Sequence, residues 1–180
     1  MKRVISAAAL LAVFSISLCV GRGQMDFAHA KETKARRAAL HASLKFSLSF
    51  EQESRTYKLN DPITVSFSLE NTGKRPAWVN KRFYLTQEVT LTVTGPTGEP
   101  LPCTFTSQSG FPKSEYFQRL QGGQTVSAEH PCDLRNYFNL TTPGRYAVVG
   151  VYENVFGQEI GLDAFTGPVT SKPVTFTVVE

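Results

Sequence analysis

The feature that most constrains this chain is a period-two alternation of apolar and polar residues, in short runs, from residue 44 onward. Leu44, Phe46, Leu48 and Phe50 alternate with Lys45, Ser47 and Ser49; Ile63, Val65, Phe67 and Leu69 repeat the pattern, as do Val89, Leu91 and Val93 and the run VTFTVV from Val174. Successive side chains of a strand point to opposite faces, so each run describes a strand with one face on a core and one in water. The turn-forming stretches ENTGKRP, GPTGEP and QGGQ separate the runs. Short strands punctuated in this way predict an all-β chain, an immunoglobulin-like antiparallel β-sandwich of about seven to nine strands. Pro62 and Pro173 stand just before strand starts, where a missing N–H leaves no ladder bond unmade. Only Ala35 to Ala42 has helical character.

Residues 139–153, NLTTPGRYAVVGVYE, carry the most detailed instruction. Pro143 fixes φ and Gly144 accepts a positive φ, so the pair predicts a tight turn that delivers Tyr146 to a strand. Pro-Gly-x-Tyr at that place resembles the tyrosine corner of immunoglobulin-like sandwiches, in which the phenol bonds back to the upstream backbone. Tyr146, Val148 and Tyr152 should share one face and Ala147, Val149 and Val151 the other, and a strand apolar on both faces is central. Gly150 in its middle predicts a bulge or a close approach. Trp78, in PAWV, is placed as a core tryptophan. Val148 stands where antibody domains have their second cysteine, so the sandwich is expected to be immunoglobulin-like rather than antibody-like.

The N-terminal part reads differently. Lys2 and Arg3 precede seventeen uncharged residues, Val4 to Val20, and Ala28-His29-Ala30 supplies a small-x-small site. This is the layout of a signal peptide, expected over 1–30, with export to the periplasm or beyond the cell. An uncleaved anchor and lipid attachment at Cys19 are the alternatives, and only they would bring the protein to a membrane. A basic tail, KETKARRAALHAS, fills 31–43. The formal charge of +4 divides as +2 over 1–30, +3 over 31–43 and −1 over the domain, 44–180. No basic face is left on the domain to follow a phosphate backbone, and no nucleic-acid partner is expected.

With Cys19 in the signal segment, Cys103 and Cys132 remain as a pair in an oxidising compartment, and a disulfide between them is the expectation. Free thiols are the alternative. There is no Cys-x-x-Cys and no histidine cluster, so no metal or other cofactor is expected.

The succession ITVSFSLENTGKRPAWV, LTVTGPTGEPLP and FQRLQGGQTVSAEHPCDLRNYFNLTTPGRYAVVGVYE resembles the β-sandwich that precedes the catalytic domain in deuterolysin-type secreted zinc endopeptidases. The likeness runs from about Ile63 to Glu153 and rests on the Asn-Thr-Gly turn, the Gly-Gly and Pro-Gly turns, Asp133-Leu134 and Pro-Gly-x-Tyr. A looser similarity joins the opening strands to the bacterial intracellular proteinase inhibitor fold. Peptidase activity does not carry over. Those enzymes hold zinc with a His-Glu-x-x-His helix, and the histidines here, His29, His41 and His130, are not spaced for it. No Gly-x-Ser-x-Gly elbow or P-loop is present either. His130 is expected to be a surface residue and Asn139 of NLT a turn residue.

The expected function is therefore that of an exported, non-catalytic protein-binding or assembly module, with a partner protein of the cell envelope or extracellular space. The alternatives are a proteinase inhibitor, presenting Lys113 or Arg119, and a hydrolase. Two segments exceed what hairpins need, 106–118 and 154–172, and loops longer than about 12–15 residues commonly bind something. Phe156, Ile160, Leu162 and Phe165 of the second are the candidate binding residues.

Overall fold

The computed structural model of the chain describes residues 44–105 and 110–180. The expected signal peptide, the basic tail and Cys19 lie outside the described residues. The alternating runs become strands where expected: β1 (Leu44–Phe50), β3 (Thr64–Asn71), β5 (Val89–Thr94) and β11 (Val174–Val179). The remaining strands are β2 (Thr56–Lys58), β4 (Ala77–Asn80), β6 (Phe117–Leu120), β7 (Thr125–Ser127), β8 (Cys132–Asp133), β9 (Gly144–Asn154) and β10 (Gly167–Thr170). Among the described residues, helix is limited to three-residue 3-10 turns.

One sheet places β3 between β1 on one edge and β7 and β8, in succession, on the other. The second is built on β9, which pairs with β5 along one edge and with β11 and then β10 along the other, while β2 adds in parallel to β11. Both sheets contribute to one core, in which β1 packs across onto β9 and β10. The fold is thus an all-β, immunoglobulin-like sandwich. Among the described residues there are eleven strands, and in two places a pair of short strands, β7/β8 and β10/β11, shares one edge of its neighbour.

Burial follows the pleat. Leu44, Phe46, Leu48, Val65, Phe67, Leu69, Val89, Leu91 and Val93 all face the core, and each such apolar side chain stabilises the fold by roughly 1.5–3 kcal/mol relative to exposure. Phe46 lies at their centre, its ring 6.1 Å from Phe67 and 6.0 Å from Tyr152. The Asn-Thr-Gly turn is stapled by its asparagine: buried Asn71 accepts from the Gly73 amide and donates to the carbonyls of Arg75 and Leu120.

β9 is central, with Tyr146, Val148 and Tyr152 inward. Gly144 has φ 145°, as the turn requires. Gly150 marks a close approach, since a Cβ there would lie 2.9 Å from Phe46 Cε1; pairing with Leu91 runs through it unbroken, while on the other edge Ser171 to Pro173 stand opposite Val149 and Gly150, one residue in excess, as in a bulge. Where β10 gives way to β11, Ser171 bridges the gap: its amide donates to the Gly150 carbonyl at 2.8 Å and its Oγ accepts from the Gly150 amide at 2.9 Å.

Two expectations need correction. Trp78 is only half-buried, because β4 leaves the main sheets to pair with β6 and turns Val79, not the tryptophan, inward. The two long loops are also partly regular: β6 begins inside 106–118, β9 extends to Asn154, and β10 lies inside 154–172.

Candidate functional site

After β4 the stretch KRFYLTQE, 81–88, closes on itself. The amides of Gln87, Glu88 and Val89 all donate to the Tyr84 carbonyl, at 3.2, 3.0 and 3.1 Å. Phe83 and Thr86 take left-handed φ values of 53° and 65°, a conformation that costs a side-chain-bearing residue on the order of 1–3 kcal/mol. Burial of the Phe83 ring, 5.8 Å from that of Tyr152, offsets it.

A buried polar network holds this loop from beneath. The Tyr152 hydroxyl donates to the Asn80 carbonyl at 2.9 Å and accepts from the Asn80 amide at 3.0 Å. Asn80 Nδ2 donates to Glu88 Oε1 at 3.0 Å, and its Oδ1 accepts from the Arg82 amide at 3.1 Å. The same carboxylate oxygen accepts from Arg82 Nε at 2.9 Å and from Arg82 Nη2, while Oε2 takes the Tyr84 amide at 3.3 Å. The Arg82 and Glu88 side chains are 8% and 5% exposed. Two charges so removed from water persist only because each is paired and hydrogen-bonded. Burial, then the Glu88 charge, raises the pKa of the Tyr152 phenol, against the lowering effect of the Asn80 backbone.

Above this network the Arg82 guanidinium lies over two rings, 5.2 Å from the centroid of Tyr84 and 5.1 Å from that of Tyr116. Both rings border a cleft of about 620 Å³, within the range of roughly 300–1,000 Å³ typical of ligand sites. Phe67 is buried at its base; Tyr84, 54% exposed, and Phe105, 43% exposed, stand at its mouth. Phe105 packs edge-on against Tyr137 at 5.2 Å. Lys81, Glu115, Glu129 and His130 supply charged and polar lining. The cleft combines apolar rings with a few polar groups, and its one deeply placed cation is already neutralised by Glu88.

Cys132 lines this cleft and Cys103 stands two residues before Phe105; the disulfide expected between them is not formed, and both are free thiols. Burial, then the neighbouring Asp133 and Cys103, pushes the Cys132 thiol up to about 12. The phenol of Tyr137 is raised as well, by burial first and then by the charges of Cys132 and Cys103.

The binding residues expected on 154–172 are divided. Phe165 is 8% exposed and belongs to the core; its amide donates to the Trp78 carbonyl at 2.8 Å and its carbonyl accepts from Asn154 Nδ2 at 2.6 Å. Phe156, Ile160 and Leu162 are half-buried. Phe156 meets Phe111 of the other long segment edge-on at 4.9 Å, and Phe111 is 66% exposed. Sequence reading missed the cleft; its one direct signal was the pair of tyrosines flanking basic residues, Tyr84 and Tyr116. Among the described residues no group of three or more His, Cys, Asp or Glu is arranged to hold a metal ion, and no helix is long and apolar enough to cross a membrane. No protein-family model and no curated protein matches this sequence.

Proposed function

We propose that the chain is an exported, non-catalytic binding module, and that the cleft between Tyr84, Phe105, Tyr116 and Tyr137 receives a segment of a partner protein of the cell envelope or extracellular space. The observation that carries this reading is a concave, aromatic-lined cleft whose loop is held rigid from below by the Asn80–Arg82–Glu88–Tyr152 network. Aromatic side chains contribute large contact area at little conformational cost, and they dominate binding hot spots.

The test is affinity purification from envelope extract with the mature protein, followed by titration of the partner recovered. Tyr84→Ala and Phe105→Ala should each weaken binding at least tenfold with stability nearly unchanged. Binding that survives both but is lost in Phe156→Ala would move the site to exposed Phe111 and half-buried Phe156. One observation favours the inhibitor alternative: Lys113, its side chain 71% exposed, lies two residues after exposed Phe111. Inhibition of a trypsin-like protease that disappears in Lys113→Ala would replace the binding-module reading.

A further inference from the structure

We infer that Cys103 and Cys132 form an ordered redox pair at the cleft wall: an external disulfide reacts first at Cys103, Cys132 then closes the intramolecular bond, and the closed bond locks Phe105 in place. The positions of the two sulfurs differ in kind. Cys103 is exposed, on a segment joined to its surroundings by a backbone bridge to Phe138, the Thr104 amide and hydroxyl on the Tyr137 carbonyl at 2.8 and 3.1 Å, and the Phe105–Tyr137 ring contact, while its Sγ donates to the Phe105 carbonyl at 3.5 Å. Cys132 is fixed in β8, paired with Val65 of the core strand β3. Thr104 and Phe105, which follow Cys103, are held on Tyr137, and Cys132 lines the same cleft as Phe105 and Tyr137. A bond between them ties this wall of the cleft to the core sheet.

The chemistry balances with a small disulfide as oxidant. The Cys103 thiolate attacks one of its sulfurs, giving a mixed disulfide and releasing one small thiolate. Cys132 then attacks the Cys103 sulfur and loses its proton to solvent, and the second small thiol leaves. The protein gives up two electrons and two protons, and the small disulfide becomes two thiols. Because the buried Cys132 thiol ionises with difficulty, the second step is the slow one. For the same reason its thiolate is a poor leaving group, so the closed bond resists reduction. The pair is therefore a clamp that is set once.

The consequence for binding rests on the cleft being the site; the clamp itself is tested without any ligand. Reduced full-length protein carrying Cys19→Ser, which leaves Cys103 and Cys132 as its two thiols, is mixed with glutathione disulfide, quenched with an alkylating reagent at intervals, and read by intact mass and peptide mapping. Glutathione should appear on Cys103 alone and then be lost more slowly as the Cys103–Cys132 bond forms. Cys132→Ser should stop at the mixed disulfide, and Cys103→Ser should leave Cys132 unmodified. On closure, hydrogen exchange at the Thr104 amide should slow at least tenfold. Glutathione captured first by Cys132, dimers linked through Cys103, a mixed disulfide that never resolves in the unsubstituted protein, or an unchanged Thr104 amide would each overturn the inference. An ordered closure in a protein whose partner ignores Tyr84→Ala and Phe105→Ala supports the clamp and removes the cleft as binding site.

Discussion

The phenol of Tyr146 donates a 2.6 Å hydrogen bond to the carbonyl of Thr142, four residues back across the Pro143–Gly144 turn. That bond fixes the angle at which the chain enters β9, while the ring stacks on Phe176 at 5.2 Å. Tyr146→Phe keeps the ring and removes the bond, so it should cost about 1 kcal/mol. Tyr57 is the control. It is equally buried, but its hydroxyl has no hydrogen-bond partner among the described residues, so Tyr57→Phe should be neutral or stabilising. Denaturant midpoints of the two variants decide this.

Gly150 sits under three side chains. A methyl group there would lie 2.9 Å from Phe46 Cε1, 3.2 Å from Leu91 Cδ2 and 3.3 Å from Leu48 Cδ2. Gly150→Ala should therefore destabilise the fold by about 1–3 kcal/mol, the usual cost of overpacking, despite the better strand propensity of alanine. Adding Leu91→Val should restore part of the loss, by opening room on the same face.

The sandwich was legible because its signals are local. Alternation in LKFSLSF or VTLTV reports a pleat directly, and Pro143, Gly144 and Tyr146 specify one turn between them. The cleft was not legible because Phe67, Tyr84, Phe105, Tyr116 and Tyr137 come from five separate segments and share no period. Trp78 was misplaced for a related reason: a position typical of sandwiches says nothing about whether a strand leaves the main sheet, as β4 does. On 154–172, glycines and acids mask the short β10, and only the structure shows Asn154 pinning the carbonyls of Phe156 and Phe165 at 2.7 and 2.6 Å.

That pinning separates two phenylalanines which look alike in sequence. Phe165→Ala removes a core ring and should cost about 3–5 kcal/mol. Phe156 is half-buried against exposed Phe111, and its loss should cost clearly less, no more than about 2 kcal/mol. Thermal melts with equal losses at both sites would contradict the division of this segment into a core part and a surface part.

Arg82 and Glu88 should behave as a unit. Removing one partner leaves the other charged and buried, so Arg82→Met or Glu88→Leu alone should cost about 3–5 kcal/mol. The double variant Arg82→Met/Glu88→Leu should lose less than the two singles summed, with the coupling read from a double-mutant cycle. Tyr84 loses both its cation and the carboxylate that holds its amide in the double variant, so partner binding should not recover along with stability.

The final prediction concerns alkaline pH. Tyr152 is fully buried, and its folded-state pKa is raised above the ordinary phenol value of 10.0, chiefly by burial. The fold therefore favours the neutral phenol. Below the unfolded-state pKa both states carry the proton and this contribution is complete. As pH rises past about 10 the unfolded chain ionises Tyr152 while the folded chain does not, and stability falls by about 1.4 kcal/mol per pH unit for one such group. Cys132, pushed up from 9.0 to about 12 in the reduced protein, adds a loss of the same sign that begins lower, so the comparison is best made on the Cys132→Ser background. At neutral pH, Tyr152→Phe should be less stable than its parent by about 1–3 kcal/mol, because the buried amide and carbonyl of Asn80 both lose their partner. Above pH 10 the parent alone pays the ionisation penalty at this position, so the two stability curves should converge as pH rises. Urea melts between pH 7 and 11 measure the gap, and curves that run parallel across that range would show that the Tyr152 phenol ionises as readily in the fold as out of it.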